Sequence, residues 1–263
     1  MSDASSASGA PGTPGAPAVR GALDSSGVSG AAGALGASRE PDAGQTPERL
    51  GPAQIEIRSM EIIEALLPAD CCPAEQRPIV KRLVHTAGDP ALAGLVRFSE
   101  AAVEAGIAAL RGGADVVTDT QMVRLGINAD RLAALGGECV CAIADPAVAE
   151  ESKRSGRTRA ACAMRLLAPR IDGGVVAIGN APTALREVLT LAVEGVARPA
   201  LVIGMPVGFV DAAESKDALM ASDHVWMAVA GTRGGSPLAA ATVNALLRLA
   251  DPDDGRQTST GDR

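Results

Sequence analysis

The sequence predicts an α/β fold, a single-domain three-layer sandwich with a mostly parallel central sheet. Short runs that are apolar on both faces and rich in Val and Ile alternate with longer segments whose apolar residues recur every three to four positions. That is the pattern of buried strands joined by helices packed on the sheet. A length of 263 residues and 26.3 kDa suits one large domain, which buries roughly three-quarters of the surface of its unfolded chain. Hydrophobic residues make up 47% but aromatics only 1%, namely Phe98, Phe209 and Trp226 with no Tyr, so the core must be built from Ala, Val, Leu and Ile.

Taken in order, residues 1–50 contain 33 that are Gly, Ala, Pro or Ser and no Ile, too little apolar surface to offset chain entropy, so a disordered extension is expected. Helices are expected over 59–66, with Ser59 as N-cap and Glu61 and Glu64 in the first turns, and over 73–84. A helix at 97–111 leads to a strand at 114–118, and a second strand is expected at 138–143. Then come a helix at 155–168, a strand at 175–179, a helix at 182–194, strands at 200–205 and 225–230, and a last helix at 237–250. Residues 251–263 are polar and aperiodic and read as a disordered tail. The folded unit is therefore expected over 51–250.

Charge and cysteine content exclude several functions. The formal charge of −7 disfavours a polyanion-binding surface, and the lack of aromatics removes stacking platforms for single-stranded nucleic acid. Nucleic acid is not an expected partner. Nor is a membrane, because no charge-free apolar stretch of about 18 residues occurs and the N-terminus lacks the basic-then-apolar order of a secretory signal. Cys71, Cys72, Cys139, Cys141 and Cys162 lack CxxC spacing and read as reduced, buried thiols of a cytoplasmic protein. Only two histidines are present to complete a ligand set, so no metal site is expected.

In an open α/β sheet ligands bind beyond the carboxyl ends of the strands, so the strand exits hold the candidate contacts. They are Asp119, Gln121 and Met122; Gly179, Asn180, Ala181, Pro182 and Thr183; Gly204, Pro206, Val207 and Gly208, leading to Ser215 and Lys216; and Gly234, Gly235 and Ser236. Glycines there let backbone approach a ligand, and the prolines suit the first turn of the next helix, whose free N–H groups attract carboxylates. Any one of these loops reads equally as an ordinary tight strand-to-helix turn, and it is their succession that points to a site. No GxGxxG, Walker A or GxSxG pattern is present, so nothing supports a dinucleotide, ATP or a serine nucleophile.

The stretch 153–170 carries Lys153, Arg154, Arg157, Arg159, Arg165 and Arg170 and no acid. It reads either as a solvated helix face or as an anion clamp, since guanidinium groups pair carboxylates in a bidentate way. His85 lies near the end of an expected helix, with Arg82 three residues earlier on the same face. A helix-end histidine commonly caps the last carbonyls. Beside an arginine it also suits binding an anion and delivering a proton next to it. His224, with Asp223 beside it at a strand start, offers less.

These loops resemble those of the precorrin-8X methylmutase family of cobalamin (vitamin B12) biosynthesis. The resemblance runs from about Ile55 to Leu249. Its most specific carriers are Gly179-Asn180-Ala181-Pro182-Thr183-Ala184-Leu185 and Pro206-Val207-Gly208-Phe209; Arg58-Ser59-Met60-Glu61, Arg82-Leu83-Val84-His85, Thr158-Arg159 and Glu214-Ser215-Lys216 support them. Membership implies an isomerase that moves one methyl group from C11 to C12 of the corrinoid precorrin-8X, giving hydrogenobyrinic acid and consuming no cofactor. It implies His85 as proton donor, Ser59, Arg82 and Arg159 as substrate contacts, and a homodimer with sites near the subunit interface. The same shift on a cobalt-containing substrate, or a non-catalytic corrinoid carrier, remains open. His224-Val225-Trp226-Met227 departs from the family pattern and is expected to alter one wall of the site.

Overall fold

The computed structural model describes residues 50–251. The extension expected over 1–50 and the tail expected over 251–263 lie outside the described residues, apart from Leu50 and Asp251. The chain runs through α1 (Pro52–Leu66), α2 (Arg77–Ala87), β1 (Val96–Phe98), α3 (Ala102–Arg111), β2 (Val116–Thr118), α4 (Gln121–Gly126), α5 (Ala129–Ala134) and β3 (Cys139–Val140). It continues through α6 (Pro146–Ser155), α7 (Arg159–Leu166), α8 (Ala168–Ile171), β4 (Val175–Ile178), α9 (Pro182–Val193), β5 (Leu201–Gly204), α10 (Ala212–Met220), β6 (Trp226–Val229) and α11 (Ser236–Ala250).

The strands form one six-stranded sheet in the order β1-β6-β5-β4-β2-β3, parallel throughout except for the edge strand β1, which runs antiparallel to β6. Successive residues of β4 illustrate the three layers. Val175 and Ala177 pack with Leu83, Leu110 and Leu246 on one face, whereas Val176 and Ile178 pack with Met164, Leu185 and Leu219 on the other. Helices α1 to α5 and α11 therefore cover the first face, and α6 to α10 the second. Burial on both faces explains why these strands read as continuous apolar runs. The three-layer α/β architecture is the one the sequence predicts.

Several element boundaries differ from expectation. Residues 96–98 form β1 and leave the expected helix at 97–111 to begin at Ala102; pairing with β6 overrides local preference there, and Ala101 turns the chain with φ 55°. The first helix starts at Pro52, where Gln54 reaches back to the N–H of Gly51, so Ser59 lies mid-helix and caps nothing. The second expected helix slides to Arg77–Ala87. The helix expected over 155–168 is broken at Gly156 (φ 72°), with α6 before it and α7 after it, capped by Thr158. The short helices α4 and α5 fill what was expected to be loop. Cys139 and Cys162 are buried, but Cys71, Cys72 and Cys141 are only half-buried, and all five are free thiols. No helix among the described residues is long and apolar enough to cross a membrane.

His224 and Trp226 lie at the amino end of β6, opposite the strand exits, so this departure from the family pattern forms no wall of the loop region. His224 is 7% exposed and its Nδ1 has no hydrogen-bond partner. Burial, aided by the charge of Arg198, holds its pKa below the ordinary histidine value. The unfolded chain thus takes up this proton more readily, and the stability carried by the neutral ring is present above about pH 6.5 and is lost as pH falls through the lowered folded value. The urea midpoint is expected to fall between about pH 7.5 and about pH 5.5, and to fall less in His224→Gln. Identical pH dependence of the two proteins would disprove the linkage.

Candidate active site

The strand order reverses between β2 and β4: β3 lies on one side of β2, while β4, β5 and β6 follow on the other. Such a switch point opens a crevice at the carboxyl ends of the strands. Asp119, the residue after β2, stands there fully buried. Its Oδ1 accepts from the N–H of Gly179 at 3.0 Å, and its Oδ2 from Asn180 at 2.8 Å and Ala181 at 2.7 Å. Burial raises its pKa while these donors oppose the rise. Expected as a ligand contact, this carboxylate is instead occupied in shaping the loop that enters α9.

The other strand exits lock onto the same centre. A Cβ on Gly179 would stand 2.6 Å from Cα of Ser236, and one on Gly234 would collide with the carbonyl oxygens of Met205 and Pro206. Only glycine lets these loops approach so closely. Gly235 donates to the carbonyl of Met205 at 2.8 Å, Met205 to that of Ile178 at 2.8 Å, and Gly208 to that of Thr232 at 3.1 Å. Thr120 and Ser236 share a hydroxyl contact at 3.3 Å. Asn180, Met122 and Val207 are exposed on this rim, Gln121, Ala181, Pro182, Thr183, Gly208 and Gly234 half-buried, and Gly204, Pro206, Gly235 and Ser236 buried.

Ser215 and Lys216 are fully buried on α10, contrary to the expectation that they face a ligand. The Ser215 hydroxyl donates to the carbonyl of Ala212 at 3.1 Å, and Lys216 Nζ donates to the carbonyl of Arg233 at 2.6 Å. Burial lowers the lysine pKa to about 8. Lys216 thus braces the β6–α11 loop from beneath. The Arg233 guanidinium continues the brace outward to Asp89 at 2.5 Å, just past the end of α2.

Helices α1 and α2 supply the histidine. Ser59 Oγ lies 3.2 Å from Nδ1 of His85, and one turn earlier on each helix Glu56 accepts from Arg82 at 2.8 Å. Two spacings of three residues, 56 to 59 and 82 to 85, bring four polar side chains to one helix–helix seam. Ser59, Arg82 and His85 are therefore brought together as a unit, while Glu56, Asp89 and Arg233 escaped the sequence reading. Glu56 had a signal, its place one turn before Ser59 on the face that meets Arg82; Asp89 and Arg233 had none, being 144 residues apart.

Half of the basic residues of the stretch 153–170 are neutralised. Arg165 pairs with Glu187 and Glu194, Arg170 with Asp115 and Glu138, and Arg154 with Glu151. Those three are structural ion pairs and not a clamp. Arg159 stays exposed at the first turn of α7, beside the Thr158 to Thr183 hydroxyl bond of 2.8 Å that ties α7 to the start of α9. Among the described residues no group of three or more His, Cys, Asp or Glu is placed to hold a metal ion.

Fold and site define the class as a three-layer α/β protein with interlocked loops at its switch point and a serine-held histidine beside an arginine. The family profile described as CbiC, precorrin-8X methylmutase, matches residues 54–249. The chain is 45% identical over 205 residues to the cobalt-precorrin-8 methylmutase of Priestia megaterium, covering 78% of this chain and 91% of that protein. It is 40% identical over 193 residues to the precorrin-8X methylmutase of a Sinorhizobium species, covering 73% and 91% respectively. The solved structure of precorrin-8X methyl mutase from Thermus thermophilus superimposes with a TM-score of 0.70 at 40% identity, over 76% of this chain and 96% of that one. This chain belongs to the precorrin-8X methylmutase family, isomerases of cobalamin biosynthesis.

Asp119→Asn removes one of two acceptor oxygens and leaves at least one buried N–H unpaired. A stability loss of about 1–3 kcal/mol is expected in urea unfolding. An unchanged midpoint would mean that the three loop N–H groups find other partners.

Proposed function

We propose that the protein moves a methyl group from C11 to C12 of precorrin-8X, giving hydrogenobyrinic acid, with His85 as proton donor. The observation that carries this reading is the Ser59 to His85 contact of 3.2 Å, one helical turn from Arg82, in a chain of this family. In the protonated ring Nδ1–H donates to Ser59 Oγ, which leaves Nε2–H as the transferable proton. Protonating the conjugated macrocycle makes it electron-poor and favours the sigmatropic shift. One C–C bond breaks at C11, one forms at C12, and loss of the proton restores neutrality without net redox change. No cofactor is needed.

The substrate's carboxylates would be met by Arg82, by Arg159 and by the polar rim residues Gln121, Asn180 and Thr183, while Met122, Val207 and Gly208 would pack against the macrocycle. In this reading Asp119, Lys216 and Ser215 hold the loops, and Gly179, Ala181, Pro182, Gly204, Pro206, Gly234, Gly235 and Ser236 form the floor. The protein works in the cytoplasm as a homodimer. Support for the dimer comes from the apolar side chains exposed around this site, Ile55, Ile57 and Ile62 on α1, Leu125 on α4, and Phe209, which is 94% exposed. Light scattering is expected to give twice the monomer mass.

A second reading, the same shift on the cobalt-containing substrate, is favoured by the name of the 45% identical relative. Comparing the two substrates in parallel visible-absorbance assays separates the readings. In either assay His85→Ala is expected to lose about 10²- to 10⁴-fold in turnover while product binding largely survives. Ser59→Ala should fall between the two. Wild-type rates in His85→Ala would remove the histidine from the mechanism, and binding of product without conversion of either precursor would mark a carrier.

A further inference from the structure

A cleft of about 460 Å³ lies between α2, the start of α5 and α11. Three guanidinium groups line it, those of Arg82, Arg131 and Arg248, and no carboxylate does. In a chain of formal charge −7 three cations converge on this cleft, and neighbouring residues hold them in place. Asn244 on α11 accepts from the N–H of Asn128 at 2.8 Å and donates to the carbonyl of Gly126 at 2.8 Å, which fixes the turn between α4 and α5. Asn128 in turn caps α5 by accepting from the N–H of Arg131 at 2.9 Å. Gly126 permits this approach, because a Cβ there would stand 2.8 Å from Cβ of Ala240. Arg131 is thereby presented to the cleft from the side opposite α2, while its guanidinium pairs with Asp251 at 3.3 Å.

Glu56 of α1 supplies the second observation. Its Oε1 lies 2.8 Å from Arg82 and 3.5 Å from Arg248, so one internal carboxylate oxygen spans two of the three arginines from the edge of the cleft. The Arg82 hydrogen bond keeps Glu56 below the ordinary glutamate pKa, so it is charged at neutral pH. Glu56 is 44% exposed and Arg248 45%, so their pair contributes little and exchanges readily, whereas Arg82, 21% exposed, holds Glu56 more closely. A carboxylate arriving from outside finds two arginines already geared to a carboxylate, with a third, itself paired with Asp251, lining the same cleft.

We infer that the Arg82–Arg131–Arg248 cleft is a carboxylate-binding pocket, and that Glu56 is its built-in competitor, displaced when a carboxylate arm of the corrinoid enters and returned to Arg82 when product leaves. The inference rests on the methylmutase reading for the identity of the ligand, and on the cleft itself for its chemistry. A bidentate guanidinium fork recognises a planar carboxylate whether it belongs to a macrocycle or to a small polycarboxylate. Two probes separate those sources.

The affinity for hydrogenobyrinic acid is read by visible-absorbance titration of the full chain, and citrate binding by thermal shift, in wild type, Arg131→Gln, Arg248→Gln and Glu56→Gln. Loss of either arginine is expected to weaken corrinoid binding about tenfold. Removing the charge of Glu56 is expected to tighten it at least about threefold, an increase that a merely structural carboxylate would not give. Urea midpoints check that each variant is folded, and the conservative Arg248→Lys tests whether charge without the fork partly restores binding. Wild-type affinity in both arginine variants, or weaker binding in Glu56→Gln, overturns the inference. If wild type neither binds nor converts a corrinoid but citrate stabilises it and not the arginine variants, the methylmutase reading fails and the carboxylate pocket stands with a free polycarboxylate as ligand. No response to either probe overturns both.

Discussion

One buried carboxylate organises the functional end of this molecule. Asp119 follows β2 at the point where the strand order reverses, and its two oxygens take up three consecutive backbone N–H groups at the entrance to α9. Without it the buried N–H of Gly179 would be unpaired and the part-buried donors of Asn180 and Ala181 would lose their acceptor, at a cost of about 1–3 kcal/mol for the buried group. The negative charge also faces the positive end of α9, which offsets part of the cost of burial. Because the β4–α9 loop is fixed, Ser236 can stack directly on Gly179, and the β6–α11 loop can in turn rest on the carbonyls after β5.

A second tier hangs from this centre. Lys216 grips the carbonyl of Arg233 from inside the core, and Arg233 reaches Asp89 beyond the end of α2. The histidine helix is therefore tied to the strand exits even though α1 and α2 belong to the outer layer. The two halves of the tie differ in kind. Lys216 is fully buried, whereas the Arg233–Asp89 ion pair is open to solvent and contributes less.

The alternation of buried strands and amphipathic helices was legible because a parallel sheet covered on both faces leaves no other use for runs such as Val175–Ile178. Edge strand β1 was not, since three residues paired antiparallel to β6 carry too short a pattern to oppose the helical one that follows. Helix boundaries moved where a tertiary contact outweighed local preference: Ser59 looks like a cap, yet Gln54 closes the helix start seven residues earlier. Within the site, Arg82 and His85 were picked out by their types and spacing, whereas Ser59, which reads locally as a cap, was expected beside them only through the family resemblance. Which arginines of the basic stretch are structural was not legible, because the acids that pair Arg165 and Arg170, Glu187, Asp115 and Glu138, lie 22 to 55 residues away in sequence.

By itself the sequence determined the fold class, the family and the residue types at the strand exits, because periodicity and motif order are local properties of the chain. Tertiary structure decided which of those residues face outward. Asp119, Ser215 and Lys216 turn inward and hold loops, since a buried polar group must find partners and the nearest ones are backbone groups of distant segments. It also decided that Arg82, Arg131 and Arg248 share one cleft, an assembly of three elements up to 166 residues apart that no spacing rule along the chain could reveal.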